Sequence, residues 1–150
     1  MKGSNTFEER MSVSIGESLF QQWCDYRGYK WHRLGLTGPT VDGFKFMNPL
    51  LRNIPDYFVE TTNGCRVVQV KGTFNIKQSE YNMLDEFISV YSSPEAPLFY
   101  AFCIRDKHPL LLSATELKRV YEESTPDRQW DDGKVYRNLN LWATPINQAA

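Results

Sequence analysis

The feature that most constrains the fold is the dipeptide Asn63-Gly64, which lies between two segments with the composition of β-strands. Asn-Gly is the strongest short signal for a two-residue hairpin turn, because both central residues of that turn adopt positive φ. The flanking segments, Pro55 to Glu60 and Arg66 to Lys71, are rich in valine and aromatic residues, which favour strands. The sequence therefore predicts an antiparallel hairpin.

Pairing counted outwards from this turn places Asp56 opposite Lys71, with Gln69 diagonal to Asp56. Side chains alternate between the two faces of a strand, so all three are expected on one face. Directly opposed Cβ atoms lie about 4.5–5.5 Å apart and diagonal ones roughly 7–8 Å apart. A carboxylate, an amide oxygen and an ammonium group are thus predicted to converge.

This set of groups suits phosphodiester hydrolysis, because a hard cation held by oxygen ligands polarises phosphate and generates hydroxide. Asp56 would be the anionic ligand, and Gln69 and the carbonyl of Val70 would be neutral oxygen ligands. Lys71 would lie beside the nucleophile and the developing negative charge. Glu17, on the first predicted helix, is the candidate for a further carboxylate.

Hydrophobic periodicity and turn residues predict the remaining elements. The first helix is expected from about Phe7 to Arg27, ended by Gly28, and a long loop from Gly35 to about Asn53. The other predicted strands are Tyr29 to Leu34, Leu98 to Ile104, Leu110 to Ser113 and Val135 to Trp142, and the other helices are Lys77 to about Tyr91 and Thr115 to Glu123. This order predicts an α/β domain with a mixed central sheet covered by helices.

With 150 residues, 41% of them hydrophobic, the chain is expected to form a single domain. Residues 1–6 are expected to be disordered, with the core in 7–112 and a C-terminal helix and strand in 113–145. The net charge of -1 provides no electrostatic argument for nucleic acid, so such a partner would need a local patch. Apolar runs are too short for a bilayer and no signal-peptide pattern is present, which predicts a cytoplasmic protein with reduced thiols and no membrane partner.

The hairpin residues resemble the signature of the PD-(D/E)xK nuclease superfamily. Pro55-Asp56 is followed by twelve residues and then by Gln69-Val70-Lys71, and Gly16-Glu17 falls on the leading helix. Glutamine replaces the second acid in some members, such as Mrr-like enzymes, and Holliday-junction resolvases are similar. The resemblance implies a restriction-endonuclease-like αβββαβ core with a mixed central sheet flanked by helices.

The resemblance also implies an activity. A Mg²⁺- or Mn²⁺-dependent endonuclease would hydrolyse DNA, with RNA the less favoured substrate. Glu17, Asp56 and Gln69 would bind the cation, and Lys71 would be the catalytic cation. Small members of the superfamily often work as homodimers or with a targeting protein partner, which suits a chain without a large basic surface.

Gln69 departs from the usual pattern, because it removes one negative charge from the metal site. Cation affinity would then depend on Glu17 and Asp56, or on another acid such as Glu60 or Glu80. Two alternatives remain open: an inactive nuclease-fold module that binds nucleic acid or a protein partner, and an unrelated α/β domain. In an unrelated α/β domain, Asp56 and Lys71 would form a surface ion pair worth under about 1 kcal/mol.

Basic and aromatic residues alternate around the start of the first predicted strand, a composition that suits phosphate contact and base stacking. A solvated strand face is an equally good interpretation of the same pattern. The start of the helix after the motif offers further candidates. The predicted nucleic-acid-binding residues are Arg27, Lys30, Arg33, Lys77, Gln78 and Tyr81.

Overall fold

The computed structural model describes residues 7–34, 50, 53–124, 128–129, 131–139 and 141, with the backbone alone described at 7–14 and 128. Predictions for residues 1–6, for most of the 35–53 loop and for the chain after 141 therefore fall outside the described residues. In chain order the elements are α1 (Phe7–Arg27), β1 (Lys30–Arg33), β2 (Tyr57–Thr61), β3 (Gly64–Lys71), β4 (Asn75–Lys77), α2 (Gln78–Tyr91), β5 (Leu98–Phe102), β6 (Leu110–Ser113), α3 (Ala114–Glu123), β7 (Arg128–Gln129) and β8 (Val135–Asn138).

The described residues form a five-stranded sheet in the order β1-β2-β3-β5-β6. Strands β3 and β5 are parallel, and the other neighbours in this sheet are antiparallel. The crossover between the parallel strands contains α2, as such a connection usually does. The predicted α/β class with a mixed sheet flanked by helices is confirmed.

Each face of this sheet packs against helix. The α1 face carries Val68 and Val70 and packs against Phe20 and Cys24 of α1. The opposite face, called the α2 face here, packs against the second and third helices. Its residues on β3 and β5 are Val67, Gln69, Lys71, Leu98, Tyr100 and Phe102, and those on β6 are Leu110 and Leu112. The polar residues of the motif thus lie on a face that also contains a large apolar core.

Helix α1 ends as predicted, because Gly28 adopts a φ of 74° and its N–H donates to the carbonyl of Asp25 at 3.1 Å. Earlier in the helix, Gly16 makes a close approach to the end of β3. A Cβ atom built at Gly16 would lie 3.0 Å from the Cα of Gly72 and 3.3 Å from the carbonyl oxygen of Cys103. This contact brings the following residue, Glu17, close to the end of the central strand.

The predicted turn at Asn63-Gly64 is wrong. The turn residues are Thr62 and Asn63, and Thr61 pairs with Gly64. Thr61 Oγ1 accepts a hydrogen bond from Asn63 N at 3.1 Å and donates one to Gly64 O at 2.7 Å. Gly64 adopts a φ of 111°, whereas Asn63 is not among the described residues with positive φ. The glycine is used directly after the turn and not at its centre.

The shifted turn changes the register by two residues. Tyr57 pairs with Val68, where the predicted turn required Val70. Asp56 therefore does not lie opposite Lys71, and continuing the observed register places it opposite Gln69. A shift of two residues preserves the face on which each side chain lies, so the predicted sharing of one face survives.

The last described strand does not join the central sheet. β8 pairs with β4 and β7 in a separate three-stranded sheet of the described residues. Leu139 N donates to the carbonyl of Phe74 at 3.0 Å, which extends the contact between β8 and the segment after β3. Strand β4, with three residues, carries too little alternation to be predicted from the sequence.

No helix among the described residues has the length and apolar character required to cross a bilayer.

Candidate active site

A cleft of ≈ 420 Å³ opens on the α2 face beside the end of β3. Gln69 and Lys71 reach it from β3, and Tyr100 reaches it from β5, where it pairs directly with Gln69. The other described lining residues are Asn53, Lys77, Ser79, Glu80, Met83 and Phe87. The cleft therefore combines two lysines, one carboxylate and two amides with an apolar wall.

Gln69 is a half-buried residue whose amide oxygen is buried and lacks a donor. Among the described residues, its Oε1 is the buried side-chain nitrogen or oxygen that lacks a hydrogen-bond partner. Such an atom forfeits its hydration without compensation, which costs about 1–3 kcal/mol. Orphaned acceptors are uncommon in folded proteins and mark positions where an ion, water or ligand is expected.

Asp56 lies next to this amide, at the start of β2. Its Oδ2 accepts a hydrogen bond from Val70 N at 2.9 Å, so the side chain continues the β2–β3 ladder beyond the last backbone pair. Burial raises the pKa of Asp56 to about 6, although the bond from Val70 opposes that rise. The charge of Glu17 raises the pKa further, and Arg33 and Lys71 lower it. Asp56 is not among the described residues that line the cleft.

Lys71 is held by Glu80, a residue in the first turn of α2. Lys71 Nζ lies 2.9 Å from both carboxylate oxygens, and the two side chains are 18% and 26% exposed. Glu80 Oε1 also accepts a hydrogen bond from Lys77 N at 3.2 Å, which caps the helix. The Lys71 ammonium, which the sequence predicts to act in catalysis, is thus oriented by Glu80. In the sequence, Glu80 was one of several acids that could compensate for Gln69.

Glu17 lies on the other side of the sheet, where Tyr57 projects. It forms an ion pair with Arg33 and accepts a hydrogen bond from the Tyr57 hydroxyl at 3.1 Å. Gln21 Nε2 donates to the same hydroxyl at 2.7 Å. Glu17 is close enough to raise the pKa of Asp56, but its charge is already matched by a guanidinium.

The predicted nucleic-acid-binding residues do not form one patch. Arg27 lies over the rings of Trp23 and Tyr29, with its guanidinium carbon 5.6 and 5.5 Å from their centroids. Arg33 forms the ion pair with Glu17 of α1, and Lys30 is an exposed residue of β1. These basic residues lie on α1 and β1, away from the described lining of the cleft.

Of the candidates at the start of α2, Lys77 lines the cleft and Gln78 is exposed. Tyr81 turns towards α3: its hydroxyl donates to Glu122 at 2.5 Å and its ring stacks on Tyr121 with centroids 4.3 Å apart. Of these three sequence-predicted candidates, Lys77 is the one that the structure brings to the cleft.

Tyr100 was not predicted as a site residue. Burial raises the pKa of its phenol, and so do the negative charges of Glu80 and Asp56, which both lie within electrostatic range. One signal was available: Tyr100 carries a hydroxyl in the otherwise apolar segment Leu98 to Phe102, and a buried hydroxyl needs a polar neighbour. That neighbour depends on the parallel register, which the sequence does not reveal.

The oxygen ligands of this region fit a hard divalent cation in kind. They include a carboxylate with one oxygen outside its Val70 bond and an amide oxygen without a partner. Within the described part of the chain, no three side chains of the His, Cys, Asp or Glu types are grouped as a ready-made metal site. An amide oxygen is a further kind of ligand for such a cation. Gln69 supplies one, in the place where the sequence motif usually has a second acid.

No protein-family model matches the chain, and no curated protein matches it either.

Proposed function

We propose that the chain is a divalent-metal-dependent nuclease with a restriction-endonuclease-like core, and that it hydrolyses phosphodiester bonds of DNA. The observation that carries this proposal is the orphaned Gln69 Oε1, next to a carboxylate with a raised pKa and beside a cleft that contains an oriented lysine. Perturbed carboxylates beside a cleft are characteristic of functional sites. The chain order of α1, β1, β2, β3, α2 and β5 is compatible with an αβββαβ core, with the short strand β4 of the second sheet inserted between β3 and α2.

Asp56 and Gln69 are the side chains that would hold Mg²⁺ or Mn²⁺, with the Val70 carbonyl as a further oxygen. When bound, such a cation supplies Lewis-acid polarisation of the phosphate and lowers the pKa of a bound water. Lys71 donates hydrogen bonds from its ammonium to a non-bridging phosphate oxygen and stabilises the added negative charge. Lys77, at the same cleft, binds the neighbouring phosphate.

The partial burial of Lys71 favours a nucleic-acid strand that can enter the cleft. Because Lys71 is 18% exposed, a phosphate must pass into the cleft to reach its ammonium. Met83 and Phe87 form an apolar wall there, against which a sugar or a base can pack. A single-stranded or frayed DNA segment satisfies this requirement more readily than the outside of an intact duplex does.

Incubation of the purified protein with single-stranded, double-stranded and branched DNA and with RNA tests the proposal, in Mn²⁺, in Mg²⁺ and in chelator. We expect cleavage with a cation, none in chelator, and a loss of about 10²-fold or more in Asp56→Ala and Lys71→Ala. Lys118→Ala is the matched control, because Lys118 pairs with Asp85 at 2.9 Å on the surface, away from the cleft. Cleavage that persists in both site variants would refute the assignment.

Absence of both cleavage and cation binding would instead support an inactive nuclease-fold module. The Lys71–Glu80 pair is the observation that favours this second function, because it occupies the ammonium. Mn²⁺ calorimetry on the intact chain distinguishes the two functions before any substrate is known.

A further inference from the structure

Gln69 leaves the proposed cation site short of one carboxylate, and Glu17, Glu60 and Glu80 are the three acids that the sequence offered in its place. Glu60 accepts a bond from His32 at 2.9 Å, in a pair that lies between β1 and β2. Glu17 lies beside Tyr57 and is matched by Arg33. Glu80 is the carboxylate among the described residues that line the cleft with Gln69.

The position of Glu80 relative to the motif follows from two links. Lys71, two residues along β3 from Gln69 and on the same face, contacts both oxygens of Glu80 at 2.9 Å. Tyr100 pairs directly with Gln69, and its phenol lies within electrostatic range of both Glu80 and Asp56. Gln69 and Glu80 therefore line one cleft together with Tyr100, and the charge of Asp56 acts on the same phenol.

We infer that Glu80 is the second carboxylate of the cation site and that it exchanges Lys71 for the divalent cation when the cation binds. The inference rests on the proposed function, since it assigns a further ligand to that same site. Asp56, Gln69 and Glu80 would then give two negative charges and one neutral oxygen, a set that suits Mg²⁺ and Mn²⁺.

The exchange has a consequence for Lys71. While Glu80 contacts its ammonium through both oxygens, two of the three N–H donors of Lys71 are engaged by that carboxylate. If Glu80 held a cation instead, the Lys71 donors would be available to a phosphate oxygen. Cation binding would thus assemble the ligands and free the catalytic lysine in one step.

Mn²⁺ calorimetry with the full chain tests the inference without any substrate. Glu80→Gln keeps an acceptor for the helix cap, because glutamine serves at that position of a capping box. We expect it to weaken Mn²⁺ binding by about tenfold or more, the size seen when a metal-site partner is removed. Glu116→Gln is the matched control, since Glu116 occupies the first turn of α3 next to its own cap, Ser113. Glu17→Gln neutralises the competing acid, and its effect on Mn²⁺ binding is compared with that of Glu80→Gln.

A double-mutant cycle tests the exchange itself. Lys71→Met removes the ammonium that competes for Glu80, so it should tighten Mn²⁺ binding several-fold, and most of that gain should vanish in the Glu80→Gln background. Equal gains in both backgrounds would overturn the exchange. If the wild type binds Mn²⁺ and Glu80→Gln binds it within twofold, Glu80 is not a ligand, and the proposed function stands without it. If the wild type binds no Mn²⁺ at millimolar concentration, the proposed function and this inference both fail.

Discussion

Asp56 Oδ2 accepts a hydrogen bond from the backbone N–H of Val70 at 2.9 Å, which ties the carboxylate to the central strand just before β2 begins. The bond fixes the carboxylate beside Gln69 and at the same time leaves it partly buried, with a pKa raised to about 6. Stability and pH are therefore coupled through this one side chain.

The first prediction concerns Asp56→Asn. Between pH 3.8, the ordinary pKa of an aspartate side chain, and the folded value of about 6, the folded state binds more protons than the unfolded state, so stability falls as pH rises through that window. The neutral asparagine retains an acceptor for Val70, and we expect it to be more stable than wild type by about 1–3 kcal/mol at pH 7. Urea denaturation from about pH 3 to pH 8 measures the difference.

The gap between Asp56→Asn and wild type should close below about pH 4, where Asp56 is protonated in both states. Glu95→Gln, which changes an exposed acid, serves as the control and should show no such dependence. A constant gap at every pH would mean that the substitution acts through packing and not through charge.

The second prediction concerns Arg33, whose positive charge lowers the pKa of Asp56 and matches Glu17. Arg33→Gln should raise the pKa of Asp56 above its wild-type value, because one favourable charge is lost and the repulsion from Glu17 is no longer offset. Carboxyl-carbon NMR titration of Asp56 measures the shift directly. Arg27→Gln removes the same charge from the end of α1 and should leave the titration unchanged; an equal shift in both variants would contradict a local effect.

The third prediction contrasts two glutamines. Gln69 Oε1 is buried without a partner, whereas Gln21 Nε2 donates to the Tyr57 hydroxyl at 2.7 Å. In the absence of metal, Gln69→Leu should be neutral or stabilising by up to about 1 kcal/mol, and Gln21→Leu should be destabilising by about 1 kcal/mol. Thermal unfolding in chelator compares them, and Mn²⁺ affinity should fall in Gln69→Leu alone. Equal destabilisation would show that Gln69 has a partner in solution.

The fourth prediction concerns the contact between Gly16 and Gly72. The Cβ atom of Gly16→Ala would lie 3.0 Å from backbone, so α1 must move away from the end of β3. Overpacking of this kind costs about 1–3 kcal/mol, partly offset by about 1 kcal/mol of helix propensity. Urea midpoints should fall for Gly16→Ala and stay constant for Ser18→Ala, an exposed residue of the same helix. A raised midpoint for Gly16→Ala, which helix propensity alone would produce, would mean that α1 moves away from β3 without cost.

The elements with a clear local signal were predicted well. The helical spacing up to Arg27, the stop at Gly28 and the apolar run at Leu98 all depend on residues near each other in sequence. The hairpin was also correct in its strands and in the face of its polar residues. Its turn was misplaced because a glycine with positive φ serves after a turn as well as within one, and Gly64 does the former.

The sequence predicted only those residues of the candidate site that the local pairing of one hairpin brings together. Asp56, Gln69 and Lys71 were found because they share one hairpin, while the contribution of Tyr100 depends on a parallel register across the whole of α2. Glu80 was one acid among several, since helix position alone does not reveal which strand residue it contacts. Long-range pairing therefore decides which acid accompanies Gln69.

Strand β3 is the middle member of the five, with β2 on one side and β5 on the other. Edge strands fray at little cost, whereas an interior strand exchanges its amide hydrogens mainly when the whole domain unfolds. The Val70 amide, bound to Asp56, should thus be among the slowest-exchanging in the protein. The groups that this strand presents to the cleft therefore keep fixed positions, and any motion that widens the cleft must come from the surrounding segments.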